Sequence, residues 1–315
     1  MRRALIIGID DYPNRPLFGC INDAVSIHNL LARNEDGSPN FDCRLLTDNV
    51  TCSRLRHELD RFFGTQADAV LLYFAGHGGY SGNTGAGHLL ARDSSGQDDG
   101  IPTLEIIERA TRGTFHDATV ILDCCFSGTL GKSALFANAA LLPAGMSVLT
   151  ACRHDEGAVE SDGSGLFTSL VCDALAGSAA DVRGHVTLPS VYSLVDQILS
   201  AWEQRPQFLA NVSRFCVLRR CRGLLSDDDL RVLPTLFPGP DYEHPLDPSY
   251  EPEAGAEHEH PEHENIFAIM QRLRDGGLLK PVGATHLYHA AMDSQRCALT
   301  PLGRYYWALA RAQRV

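Results

Sequence analysis

The sequence has no Cys-x-x-Cys pair, although ten cysteines are scattered through it, at 20, 43, 52, 124, 125, 152, 172, 216, 221 and 297. A disulfide framework is not expected from that scatter, and most of these thiols should be small buried hydrophobes. No apolar run reaches the roughly 18 residues that a membrane-spanning helix needs. The N-terminus "MRRALIIGID" has arginines, but its apolar run is short and is followed at once by acids. It reads as a first buried strand rather than a signal peptide, so a cytoplasmic protein with no membrane partner is expected. Internal repeats are also absent.

What is present is a chain of 315 residues with 44% hydrophobic content, enough for one large or two modest domains. The net charge of −12 is uneven. Residues 225–264 carry twelve acids and one base, whereas 265–315 carry seven bases and two acids. The acidic segment also holds seven prolines and reads as a linker without a core of its own. Its "EHEHPEHE" stretch offers three histidines, better explained as a solvated linker than as a metal site. These features divide the chain into a domain over 1–224, an acidic Pro-rich linker over 225–264 and an accessory domain over 265–315.

Apolar runs and helical periodicities alternate through the first part. "RALIIGI", "CRLLTD", "AVLLYFA", "ATVILD" and "MSVLT" read as strands, and "RFCVLRRC" as a last one. "NDAVSIHNLLAR", with Asn22 or Asp23 as cap, "TCSRLRHELDRFF", with Thr51 as cap, "TLEIIERATRG", "LFTSLVCDALAG" and "LPSVYSLVDQILSAW" read as helices. The expected fold class is α/β, with a mostly parallel sheet of six strands flanked by helices. In the last fifty or so residues, "NIFAIMQRLRDGGLL" has Ile266, Ile269, Met270 and Leu273 on one helical face. "HLYHAAM" and "QRCALT" could pair as a hairpin, and Thr300 with Pro301 opens a terminal helix. This pattern suggests a small α+β, winged-helix-like domain.

Functional groups of parallel sheets gather at the carboxyl ends of strands. Two motifs stand there. In "YFAGHGG", glycines at 76, 78 and 79 surround His77; glycine permits close backbone approach and leaves amides exposed. In "ILDCCFSG", Cys124 and Cys125 close an apolar strand. A thiol needs a base to form thiolate at neutral pH, and histidine is the usual one. Side chains alternate along a strand, so Asp123 and Cys125 share one face and Cys124 points to the other. Cys125 is then the candidate nucleophile.

These motifs resemble the histidine and cysteine motifs of caspase-like cysteine peptidases (peptidase family C14), nearest to metacaspases and bacterial caspase homologues. The spacing of 48 residues between His77 and Cys125 agrees. "ALIIGIDDY", "GCINDAVSI" and "VLTACRHDEGAVES…GLFTSLVCDAL" extend the resemblance over about residues 1–220. It implies His77 as general acid/base, Cys125 as acyl-forming nucleophile, and an oxyanion hole from the amides of Gly78 and Cys125. It also implies a pocket for a basic residue lined by Asp23 and Asp123, hence cleavage after Arg or Lys. The alternative reading of Asp23 is a helix cap.

Two departures stand out. Ala75 takes a position where many relatives have serine. Asp93, Asp98 and Asp99 are candidates for the calcium ligands of some relatives, but Lys132 stands where a further ligand is expected; no cofactor is expected, with calcium as the alternative. Lys132 is also a candidate self-cleavage site. The expected partners are protein substrates and an activating or recruiting protein or signal acting through 265–315, as in an effector of bacterial defence or signalling. Nucleic acid is disfavoured by the modest charge of that region. The alternatives are a catalytically silent caspase-like scaffold and a DNA-binding regulator acting through the last domain.

Overall fold

The computed structural model describes residues 1–80, 87–96, 99–124, 142–151, 160–161, 164–199, 206–252, 254–255 and 260–315. They form two compact units, Met1–Ala180 with His185–Arg222, and Asp181–Gly184 with Gly223–Val315.

The first unit opens with β1 (Arg2–Gly8), α1 (Cys20–Ala32), β2 (Asp42–Leu46), α2 (Cys52–Phe63) and β3 (Ala69–Ala75). A small antiparallel sheet follows, of β4 (Gly78–Tyr80), β5 (Gly87–Leu89) and β6 (Ile101–Pro102). Next come α3 (Thr103–Arg112), β7 (Asp117–Asp123), β8 (Met146–Thr150) and the short pair β9 (Glu160–Ser161) and β10 (Ser164–Gly165). The unit ends with α4 (Leu166–Asp173), β11 (His185–Thr187), α5 (Leu188–Leu199), β12 (Gln207–Asn211) and β13 (Val217–Arg220).

The central sheet has six strands in the order β12-β8-β7-β3-β1-β2. All its pairs are parallel except β12 against β8. The inner strands β1, β3, β7 and β8 are buried on both faces, which is why they are continuous apolar runs. Leu5 and Ile7 of β1 enter one core and Ala4 and Ile6 the other. Along β7, Val120 and Leu122 enter the first core and Ile121 the second. At the end of β1, a Cβ on Gly8 would lie 2.3 Å from the carbonyl oxygen of Cys20, so only glycine lets the start of α1 approach this closely.

Three expectations change. α1 is capped neither by Asn22 nor by Asp23: the Asp10 carboxylate accepts from Cys20 N–H at 2.9 Å and from Ile21 N–H at 3.4 Å. The stretch "RFCVLRRC" does hold a strand, β13, but it pairs with β11 in a separate two-stranded ribbon. The sixth strand of the main sheet is β12, an antiparallel, half-exposed edge.

The second unit contains α6 (Asp227–Arg231), α7 (Leu233–Leu236), β14 (Glu243–Pro245), α8 (Pro261–Asp275), β15 (Leu279–Val282), α9 (Leu287–Met292), β16 (Arg296–Leu299) and α10 (Pro301–Arg311). Its sheet runs β14-β16-β15. Much of the acidic segment is folded into this unit rather than forming a coreless linker. Leu225, Leu230, Leu233, Phe237, Leu246 and Tyr250 share one core with Phe267, Met270 and Leu273 of α8. The Trp307 indole N–H donates to the Phe237 carbonyl at 2.6 Å.

The acids of this segment also find counter-ions in the basic run. Asp229 pairs with Arg272 at 2.6 Å, Asp241 with Arg304 at 3.0 Å and Glu243 with Arg296 at 3.2 Å. The acidic run and the basic run are two halves of one unit. The expected hairpin is also replaced. "HLYHAAM" forms α9, burying Leu287, Ala290 and Ala291 at helical spacing, and β16 pairs instead with β15 and β14.

Candidate active site

β3 and β7 are adjacent and parallel, with Ala75 opposite Asp123, so both motifs leave the same edge of the sheet. Gly76 N–H donates to the Asp123 carbonyl at 3.3 Å, one residue before His77. The sheet thereby brings together His77, Gly78 and Asp123. Cys125, Asp98 and Lys132 lie outside the described residues. Cys124 ends the described part of this segment, buried in the core that holds Val120 and Leu122. Alternation therefore persists one residue past β7.

His77 is half-buried and held by the loop between β1 and α1. Its Nε2 lies 2.7 Å from the Arg15 carbonyl oxygen. A carbonyl only accepts, so Nε2 carries the proton and Nδ1 of the neutral ring carries the lone pair. His77 N–H donates to the Tyr12 hydroxyl at 3.0 Å, and the two rings pack at 4.5 Å between centroids. Burial pushes the His77 pKa below the ordinary imidazole value, and the Arg15 charge adds to that, against the hydrogen bond to the Arg15 carbonyl.

Strand register orients the neighbouring amide. Gly78 lies opposite Leu89, while Leu90 N–H donates to the His77 carbonyl at 3.0 Å. Gly78 and Leu89 are thus a non-hydrogen-bonded pair, and Gly78 N–H points away from β5.

The other candidate carboxylates are buried. Asp23 is 3% exposed and Asp123 4%. Asp23 sits in the first turn of α1, yet its carboxylate accepts from Gly165 N–H at 3.1 Å. Asp123 accepts from the Thr168 hydroxyl at 2.7 Å. That hydroxyl has one proton to give, so the Tyr73 hydroxyl, 2.6 Å away, donates to it in turn. Burial, followed by the charges of Asp123 and Asp23, holds the Tyr73 pKa well above its ordinary value, so it keeps its proton.

Gly165 and Thr168 belong to the first turn of α4 and its cap. Both carboxylates therefore converge on the N-terminus of one helix, whose dipole and donors favour negative charge. Thr168, Tyr73, Tyr12 and the Arg15 carbonyl were not found from the sequence. The only hint was an aromatic residue beside acids and prolines in "DDYPNRP".

The remaining candidates are engaged elsewhere. Asp93 accepts from Cys52 N–H at 2.7 Å and thereby caps α2 together with Thr51, while Asp99 accepts from Ser95 N–H at 3.2 Å. Among the described residues, no group of three His, Cys, Asp or Glu is arranged to hold a metal ion.

The family model for the caspase domain (Peptidase_C14) matches residues 1–216. Among solved structures, protein GSU0716 from Geobacter sulfurreducens is 14% identical with a TM-score of 0.51, covering 70% of this chain and 97% of its own. Caspase-1 from Spodoptera frugiperda is 14% identical with a TM-score of 0.49, covering 70% and 90%. No curated protein matches the chain. No helix among the described residues is long and apolar enough to cross a membrane. Sheet order, parallel pairing and the family match over two thirds of its length agree: the chain belongs to the caspase-domain family, whose members are cysteine peptidases.

Proposed function

We propose that this chain is a cysteine endopeptidase that cleaves after Arg or Lys through Cys125 and His77. The observation that carries the specificity is the pair of buried carboxylates, Asp23 and Asp123, gathered at the start of α4 beside the strand end that leads to Cys125. Two carboxylates in one pocket repel each other unless a cation sits between them. The donors of α4 supply part of that compensation, so the pocket can hold its charge before substrate arrives. A guanidinium or ammonium then completes it, with Arg able to bind bidentately.

The chemistry follows from the histidine tautomer. His77 Nδ1 takes the Cys125 thiol proton, and the thiolate attacks the scissile carbonyl carbon. The C=O electron pair moves to oxygen, where the Gly78 amide and the Cys125 amide stabilise it. As the pair returns, the C–N bond breaks and His77 Nδ1–H gives its proton to the departing amine. Water, deprotonated by His77, then hydrolyses the thioester and frees Cys125.

The second unit, read as a winged-helix-like accessory module, would serve recruitment or switching in a defence or signalling pathway. The test is a panel of fluorogenic peptides ending in Arg, Lys and Asp, with and without calcium, against Cys125→Ala. Cleavage of the basic peptides by wild type alone is expected; preference for Asp, or activity in Cys125→Ala, overturns the reading.

A further inference from the structure

The β4–β5 hairpin has an irregularity next to the proposed base. In an antiparallel ladder, two residues of a hydrogen-bonded pair exchange both their bonds. Leu90 N–H does donate to the His77 carbonyl at 3.0 Å. The reciprocal bond, from His77 N–H to the Leu90 carbonyl, is replaced by a side chain. Tyr12 OH accepts from His77 N–H at 3.0 Å and donates to the Leu90 carbonyl at 3.0 Å. One hydroxyl is thus wedged into the ladder at the residue that carries the imidazole.

Three further contacts fix this wedge. Tyr12 is 6% exposed and packed in the core with Phe74, Leu89 and Cys124. Its ring lies against the His77 ring at 4.5 Å. A Cβ on Gly76 would lie 2.5 Å from its hydroxyl, so the residue before His77 is shaped to admit it. Burial raises the Tyr12 pKa far above its ordinary value, so the phenol keeps the proton that the Leu90 carbonyl requires.

We infer that Tyr12 is a positioning residue that sets the His77 imidazole and the Gly78 amide together, by holding the hairpin open by the width of one hydroxyl. The inference rests on His77 as the acid/base of the proposed peptidase. The His77–Gly78 peptide has its carbonyl fixed by Leu90 N–H and its amide directed away from β5. Without the hydroxyl, the ladder either closes to a direct His77 N–H to Leu90 bond or leaves two buried groups unpaired. Either outcome tilts that peptide and moves base and oxyanion donor at once. Small misplacements of catalytic groups have large rate costs.

The test compares Tyr12→Phe and Gly76→Ala with wild type and His77→Ala on a peptide ending in Arg. Tyr12→Phe keeps the ring and removes only the wedge; Gly76→Ala displaces the wedge from the other side. Both should lower kcat by on the order of 10- to 100-fold with KM changed less than about threefold. The imidazole nitrogen NMR signals of His77 should also shift in both variants. A kcat equal to wild type in folded Tyr12→Phe, with His77→Ala inactive, overturns the role of Tyr12 alone. Activity retained in His77→Ala overturns the reading beneath it. If neither variant folds, hydrogen exchange on the wild-type chain decides: a protected His77 amide supports the tether and an unprotected one overturns it.

Discussion

The two faces of the central sheet hold the two halves of the proposed site by different means. On the side of Phe74 and Leu122, His77 is half-buried and clasped by neutral groups, the Tyr12 hydroxyl, the Tyr12 ring and the Arg15 carbonyl. On the side of Tyr73 and Phe167, Asp23 and Asp123 are buried and held by an amide and a hydroxyl from the start of one helix. In the proposed peptidase, the difference follows from what each half must do. A base must exchange protons, so it needs contacts that leave one nitrogen available. A charge-reading pocket must stay ionised while shielded from water, so it needs donors.

The contrast can be broken from either side. The largest effect should come from the chemical half: Cys125→Ala and His77→Ala should each lower kcat/KM by about a thousandfold or more, measured on Arg and Lys peptides. Next, Asp123→Asn should lower kcat/KM for Arg peptides by about 100-fold, near 3 kcal/mol, while iodoacetamide still alkylates Cys125 at close to the wild-type rate. Equal loss of both would merge the two halves into one.

Thr168→Val removes a single donor from Asp123 and leaves the shape. About 1–2 kcal/mol, near tenfold in kcat/KM for Arg peptides, is the expected loss. A loss equally large on peptides ending in Ala would assign Thr168 to the fold rather than to the pocket.

The smallest effect is a pH dependence. The His77 pKa is lowered in the folded state, so the native protein binds fewer protons there than the unfolded chain. Its contribution to stability is complete above the unfolded value of about 6.5 and is lost as pH falls through the lower folded value. Thermal melts of wild type and His77→Gln should therefore converge as pH falls from about 8 to 5. A gap that widens on acidification would place His77 in a charged, paired state instead.

A second contrast, inside the last unit, shows where reading the sequence fails. The run of acids and prolines after residue 224 has the composition of a tether, yet its leucines and Phe237 build a core. Asp229, Asp241 and Glu243 find counter-ions more than forty residues away, in Arg272, Arg304 and Arg296. Composition sums a window, while packing depends on a few apolar positions and on partners outside it. The helix α9 escaped for a related reason: Leu287, Ala290 and Ala291 make a period too short to separate from a strand. The edge strand β12 escaped because half-exposed edges lack the continuous apolar run of β3 or β7.

Local sequence was sufficient wherever one residue's chemistry and the pleat decide the outcome. The apolar runs determined the buried strands, the glycines around His77 marked a close-approach turn, and alternation sent Cys124 into the core. Only the tertiary structure decided what holds those groups. Tyr12 meets His77 across 65 positions and Asp23 meets Gly165 across 142, through a hydroxyl and a backbone amide. Every residue but proline has that amide, so no side-chain motif can announce it; it acquires meaning only when the folding sheet brings the start of α4 against α1.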